Sequence, residues 1–480
     1  MKYLSTILAT LLLGFAFTSC DDDEVNSNDR PKNDKADEVT ILANDFVYQI
    51  MDYYYLYNEG ISKDTPPKKI PVIDYNYEKD TKEYFKKLLN PKDIFSFITD
   101  DASAFKKEQT GVSTSMGWEY SFMYADATRK NVVASIDYVY PGTPAYNAGA
   151  RRGDFIFSIN GENLTPDNYS NLWNKKGTYK GAHYTDNSSA DKIEYSLTPD
   201  VINVSPVAET NIFTLEDGTK VGYLLYMNYY AKFNDELTKV FNSFKAEGVS
   251  RLILDLRYNP GGEMTACAHL TSLFAPATAV AAEKEIVHYE YNKNLAKEMG
   301  DDDISTFTKK VLSSNLDLKD VVIIQGRNSY SASEATILGL KPYMDVYTIG
   351  STSGGKNTAM FVLTPDLFVN NKTKEPFFDK RINNWLIAPL VAVYYNSNME
   401  TFDTTDGDGM DPDFEYDEFN NLARLPLGDK NEALTALALE YIANGKISSS
   451  KSAAYNNAVN LIDVTDYKTP LALQIPFTLK

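Results

Sequence analysis

The chain has 480 residues, 43% of them hydrophobic, and carries 66 Asp and Glu against 47 Lys and Arg, a formal net charge of −19. That length accommodates two or three domains with packed cores, which excludes a chain disordered throughout. The acidic balance argues against nucleic acid as a partner and against a basic membrane-binding face, since both want clustered Lys and Arg.

Residues 1–20 hold one early lysine, an apolar stretch and small residues ending at Cys20, which reads as an export signal too short to span a membrane as a helix. Small residues before a cysteine resemble the lipobox of bacterial lipoproteins, with Phe17 where leucine is usual, and the acidic run Asp21–Glu24 resembles surface-export signals of Bacteroidetes-type lipoproteins. The resemblance implies lipidation at Cys20, an exported lipoprotein at the outer membrane or cell surface, and membrane contact only through that lipid anchor. Processing would then leave Cys267 alone, so no internal disulfide is expected, and its alanine neighbours suggest a packed structural thiol. Residues 21–37 are polar and acidic and fit a flexible tether. From 38 to 109 the apolar residues Ile41, Phe46, Ile50 and Met51, then Tyr84, Phe85 and Leu88, recur near a helical period, predicting a helical N-terminal domain.

Residues 110–205 change to short strands and turns. The run from Tyr140 to Glu162, with a short helix, a Gly-Asp turn and a strand ending in Asn160-Gly161, resembles part of a PDZ domain. Such a domain offers a groove in which an extended peptide adds as a strand and backbone N–H groups hold its carboxylate. On that resemblance Met116, Gly117 and Trp118 would form the peptide-holding loop. A structural or gating role for the module is the competing reading.

From 206 to 446 strands and helices alternate: Lys220–Tyr226, the amphipathic stretch Asn234–Ala246, Leu252–Leu256, Val321–Ile324, Glu334–Leu340, Val346–Ile349 and Leu386–Tyr394 predict a mostly parallel sheet covered by helices. A last helix over about Glu432–Ile442 closes this region, and residues 447–480 form a C-terminal tail. Within the 206–446 region Ser331 stands at a strand-to-helix turn, where helix N–H groups favour developing negative charge, and Lys356 ends a second Gly-rich loop. His183, His269 and His288 are the only histidines and none sits in a triad setting, so a lysine base is the economical proposal.

The stretch Arg251-Leu-Ile-Leu-Asp-Leu-Arg-Tyr-Asn-Pro-Gly-Gly-Glu263 resembles the Asp-Leu-Arg-x-Asn-x-Gly-Gly signature of the carboxyl-terminal processing proteases, the S41 family of serine peptidases. Ser331-Ala-Ser-Glu334 is similar to that family's nucleophile motif and Gly354-Gly-Lys356 to its lysine loop. The resemblance implies an α/β fold with a crotonase-like (ClpP-like) protease core behind a PDZ-like domain. It implies Ser331 as nucleophile, Lys356 as its base, and an oxyanion site drawn from the N–H groups of Gly261 or Gly262 and of Ala332, with Gly261 the preferred glycine. It also implies polypeptide substrates, bound in extended or C-terminal segments, and no metal or cofactor. One departure stands out: the glutamine usual four residues after the lysine is Met360. That substitution is the sequence's hint toward the alternative, a non-catalytic peptide-binding lipoprotein that keeps the protease fold. Thr405–Asp413 is rich in carboxylates but lacks EF-hand spacing, and a turn is expected there rather than a calcium loop.

Overall fold

The computed structural model describes residues 35–61, 75–125, 128–300, 303–370, 372–404, 409–448 and 462–463. The expected export signal, Cys20 and nearly all of the tether lie outside these residues. No helix among the described residues is long and apolar enough to cross a membrane.

Two helices open the described chain. Helix α1 (Glu38–Tyr54) is capped by Asp37, whose carboxylate accepts the N–H groups of Val39 and Thr40, and α2 (Thr81–Leu88) is capped likewise by Asp80. Phe46, Val47, Ile50 and Met51 of α1 and Tyr84, Phe85 and Leu88 of α2 are buried, as their period predicts. They do not form a core of their own. These side chains join one continuous cluster with Leu224, Leu254 and Ile323, so the 38–109 region is a layer of the larger α/β unit rather than a separately packed domain. The strand Phe97–Thr99 fixes the layer by pairing antiparallel with Leu386–Ala388.

The next region is an antiparallel sheet of β1 (Trp118–Tyr124), β2 (Val132–Val139), β3 (Asp154–Ile159), β4 (Gly177–Tyr184) and β5 (Ala190–Leu197), in that order. Its core is aromatic: Trp118 stacks on Trp173 with centroids 5.3 Å apart, and Tyr179 meets both edge-on. A short helix at Pro144–Asn147, the Gly153-Asp154 turn and β3 follow in the expected order. Asn160 and Gly161 both take positive φ, 54° and 85°, as a tight hairpin turn requires.

The third region carries a six-stranded sheet. Strand β6 (Val207–Thr214) is antiparallel to β7 (Lys220–Tyr226), and β7, β8 (Arg251–Asp255), β10 (Asp320–Gln325), β11 (Asp345–Gly350) and β14 (Phe414–Glu415) run parallel in that spatial order. Helices α3 (Asn234–Glu247), α4 (Met264–Ser272) and α5 (Ala332–Leu340) pack in the cluster on one face, and α6 (Ala433–Asn444) packs in the cluster on the other. A smaller antiparallel sheet contains β9 (Glu285–Tyr291), β12 (Thr358–Met360) and β13 (Leu390–Tyr395). The stretch expected as one strand from Leu386 to Tyr394 is broken at Pro389, which has no N–H to continue a ladder: its first half pairs with Phe97–Thr99 and its second joins the small sheet. Near the chain's end, β15 (Ile462–Asp463) adds antiparallel to the free edge of β1 at Tyr124 and Met123.

Candidate active site

Strand β8 leads into the Gly-Gly loop, β10 into the serine turn and β11 into the lysine loop, so three parallel neighbours deliver their loops to the same edge of the sheet. Ser331 is the first residue before α5 and takes φ 59° and ψ −110°, a left-handed conformation that costs a non-glycine residue energy and therefore needs support. The support is a lattice of backbone-directed bonds. Ser329 Oγ donates to Leu256 O at 2.8 Å, Ser333 Oγ donates to Asn259 O at 2.8 Å, and Tyr330 N–H donates to Asn259 O. The serines flanking Ser331 thus tie its turn to the Gly-Gly loop, while Ser331 Oγ itself is buried with no hydrogen-bond partner among the described residues.

Glu334, the last residue of the Ser331-Ala-Ser-Glu334 motif, is the hub of the site. Its Oε2 accepts the N–H groups of Ser331 at 2.7 Å and Lys356 at 2.9 Å, and its Oε1 accepts Ser353 Oγ at 2.6 Å and Gly355 N–H at 2.8 Å. One carboxylate oxygen therefore brings the backbones of Ser331 and Lys356 together. Tyr394, from β13, repeats the clamp on their carbonyls: its hydroxyl lies 3.1 Å from Ser331 O and 2.9 Å from Lys356 O. Nothing in the sequence marked Tyr394 for this position, because the clamp exists only once the small sheet has packed on the serine turn.

Lys356 is fully buried. Burial pulls its amine down to about 7, against the opposing pull of the Asp93 and Glu334 carboxylates. Its Nζ donates to Met360 Sδ at 3.1 Å and lies 5.2 Å from the centre of the Phe95 ring. No hydrogen bond joins Nζ to Ser331 Oγ, and neither side chain reaches the surface. The two loops are adjacent, and the site is closed.

The preferred oxyanion donor needs correction. Gly261 N–H is taken by Asn259 Oδ1 at 2.9 Å, and its carbonyl accepts Tyr229 N–H, which leaves it no free donor. Gly261 serves instead as the point of closest approach: a Cβ there would come within 2.9 Å of Ser331 Cβ and Ala332 N. Among the described residues the N–H groups of Gly262 and Ala332 have no hydrogen-bond acceptor, and they are the donors left beside the serine turn. All three histidines lie elsewhere, with His183 on Asp154, His269 on Thr238 and His288 beside Glu285. Cys267 is buried with its thiol pushed up to about 12 by desolvation, as a structural cysteine should be.

The expected peptide-holding loop is also corrected. Met116 and Trp118 are buried in the sheet's own core, and Gly117 N–H donates to Ser115 Oγ at 3.0 Å while its backbone is pressed on Thr143. The edge of β1, where a peptide strand would add, is occupied near its end by Ile462 and Asp463. Of the carboxylate-rich stretch 405–413, residues 405–408 lie outside the described residues. Asp411 and Asp413 accept from Thr352 and Thr348 and so brace the lysine loop, and among the described residues there is no cluster of side chains suited to a metal ion.

Comparison with known proteins fits this geometry. The family model for peptidase family S41 matches residues 220–416, and a PDZ domain model matches residues 135–172. The carboxy-terminal processing protease CtpA of Bacillus subtilis is 26% identical over 310 residues, covering 62% of this chain and 62% of that protein. A CtpA-like serine protease of Staphylococcus aureus is 23% identical over 363 residues, 71% of this chain and 68% of that one. Against the first two curated relatives, therefore, the chain spans less than two thirds of their length. The crystal structure of an S41 protease from Bacteroides fragilis superposes with a TM-score of 0.63 at 24% identity, covering 84% of this chain and 97% of that one. The chain carries a region matching peptidase family S41 within a fold of mixed α/β structure. It combines a peptidase family S41 core with a PDZ domain, and resembles the carboxy-terminal processing proteases.

Proposed function

We propose that the protein is a serine endopeptidase that hydrolyses peptide bonds in extended or C-terminal segments of exported polypeptides, with Ser331 as nucleophile and Lys356 as general base. The observation that carries this reading is the buried lysine held against the serine turn by Glu334 and Tyr394, with its amine drawn down to about 7. A lysine at that value is substantially neutral at physiological pH and able to take a proton. In the reaction, Ser331 Oγ attacks the scissile carbonyl as its proton passes to Lys356 Nζ. The carbonyl oxygen, now negative, accepts the N–H groups of Gly262 and Ala332, each such donor contributing about 3 kcal/mol in serine proteases. Collapse of the intermediate returns the proton from Nζ to the leaving amine. A water then repeats the sequence on the acyl-serine, restoring Ser331.

Substrate entry requires the closed site to open, and the Nζ must leave Met360 for Ser331. That geometry also favours a second reading, a peptide-binding lipoprotein that retains the fold without turnover. Cleavage of quenched, labelled casein by the full mature chain beside Ser331→Ala and Lys356→Ala separates the two. Turnover that both variants lose supports the peptidase, and a silent wild type with folded variants supports the binding protein. For localisation we propose lipid attachment at Cys20 and display at the outer membrane or cell surface. Globomycin treatment or Cys20→Ser should release the protein from the membrane fraction, and unchanged fractionation would contradict the anchor.

A further inference from the structure

Where S41 relatives commonly place a glutamine, this chain has Met360, and a thioether is a weak acceptor for a lysine amine. A turn from outside both family-matched regions closes over the same amine. Asp93 is 6% exposed, and its Oδ1 accepts the N–H groups of Phe95 and Ser96, each at 2.9 Å. Ser96 Oγ accepts the N–H of Leu390 at 2.9 Å, and Leu390 is the register partner of Met360 across the small sheet. The turn is thereby bolted to the strand beside the one that carries the lysine's present contact. It sets the Phe95 ring 5.2 Å from Lys356 Nζ, and it keeps the Asp93 carboxylate buried with the Tyr55 hydroxyl beside it.

We propose that Asp93 and Phe95 are positioning residues for Lys356, Asp93 supplying the buried counter-charge in place of a side-chain amide at position 360 and Phe95 shielding the amine from water. The turn from Asp93 to Ser96 then belongs to the setting of the lysine rather than to an accessory layer. The inference rests on Lys356 acting as the base. The charged and titratable groups around the amine are few: Asp93 from this turn, Glu334 from α5, and the Tyr394 hydroxyl, which holds the lysine's carbonyl. Tyr55 and Tyr57 flank Asp93 in turn. Of the two carboxylates Asp93 exerts the greater pull on the amine, and both oppose the burial that favours its neutral form.

The two residues push the lysine in opposite directions, which makes the proposal sharp. In the full mature chain, Asp93→Asn keeps an acceptor for the Phe95 and Ser96 N–H groups while removing the charge, and Phe95→Ala admits water. The Lys356 amine is titrated by NMR of protein labelled with [ε-13C]lysine, its resonance assigned by loss in Lys356→Ala, alongside the pH dependence of kcat/KM on labelled casein. The midpoint should fall by about one pH unit in Asp93→Asn and rise by about as much in Phe95→Ala, with the acid limb of kcat/KM moving in step. Midpoints that stay in place, or move the same way in both variants, would overturn the assignment even if activity falls. Opposed midpoints in a protein without turnover would support the assignment while removing the peptidase reading. Normal turnover with immobile midpoints would do the reverse.

Discussion

At the scale of single residues, the site trades stability for chemistry. A lysine drawn from its ordinary value to about 7 costs the fold on the order of 4 kcal/mol at neutral pH and below. The folded state holds fewer protons on this group than the unfolded chain between pH 7 and the ordinary lysine range, so this cost shrinks as pH rises through that window. Lys356→Met should therefore be more stable than wild type by about 1–3 kcal/mol near pH 7, allowing for imperfect packing of the new side chain, and the gain should fade toward pH 10. Urea unfolding at a series of pH values checks this, and a gain that grows with pH would contradict it. Gly261 gives a second prediction of the same scale. Its φ of 101° and the 2.9 Å approach to Ser331 Cβ mean that Gly261→Ala must displace the serine turn. Activity should fall at least a hundredfold with kcat affected more than KM, measured on casein.

At the scale of elements, loops from β8, β10 and β11 meet because three parallel strands end together, and Glu334 locks them. Four donors converge on this one buried carboxylate. Glu334→Gln would turn an NH2 group toward N–H groups already aimed at it, so about 2–4 kcal/mol of stability should be lost together with turnover. Thermal unfolding and casein cleavage measured on the same preparation test this, and a variant as stable as wild type would remove Glu334 from its place as hub. Here the limits of reading the sequence are clear in physical terms. The serine turn, the lysine loop and the Gly-Gly loop were legible because strand-to-loop changes and glycines leave local signals. The convergence of Glu334, Tyr394, Asp93 and Phe95 was not, because it joins a helix, a strand and a turn that are distant in the sequence and meet only in the packed fold. The choice of Gly261 over Gly262 failed for a related reason. Which N–H stays free depends on the Asn259 side chain, which folds back on its own loop. The single strand expected from Leu386 to Tyr394 overlooked what Pro389 does to a ladder.

At the scale of the whole molecule, a buried ionic network ties the PDZ domain to the peptidase core. Arg257 bonds both Asp255 and Glu432, Arg152 of the PDZ domain pairs with Glu418 at 2.6 Å, and Arg424 pairs with Asp137 at 3.1 Å. Burial alone would raise the Glu418 and Glu432 carboxyls, yet the guanidiniums of Arg152 and Arg257 hold both down to about 2. Groups depressed in this way stabilise the fold above their unfolded value of 4.5, and that contribution is lost as pH falls toward 2. Arg152→Met, which leaves Glu418 without a main partner, should cost about 3–5 kcal/mol and raise the pH at which acid unfolding begins. Circular dichroism across pH 2 to 6 reads both effects, and an unaltered acid transition would show that the network does not join the two regions energetically.

If a lysine makes Ser331 nucleophilic, covalent labelling of that serine will report it. Full-length mature protein treated with a fluorophosphonate across pH 5 to 9 should acquire the label on Ser331, with a rate that rises through a midpoint near pH 7 and is abolished in Lys356→Ala. A serine that stays unlabelled in the folded wild type, or one whose labelling ignores pH and survives the loss of Lys356, would contradict it.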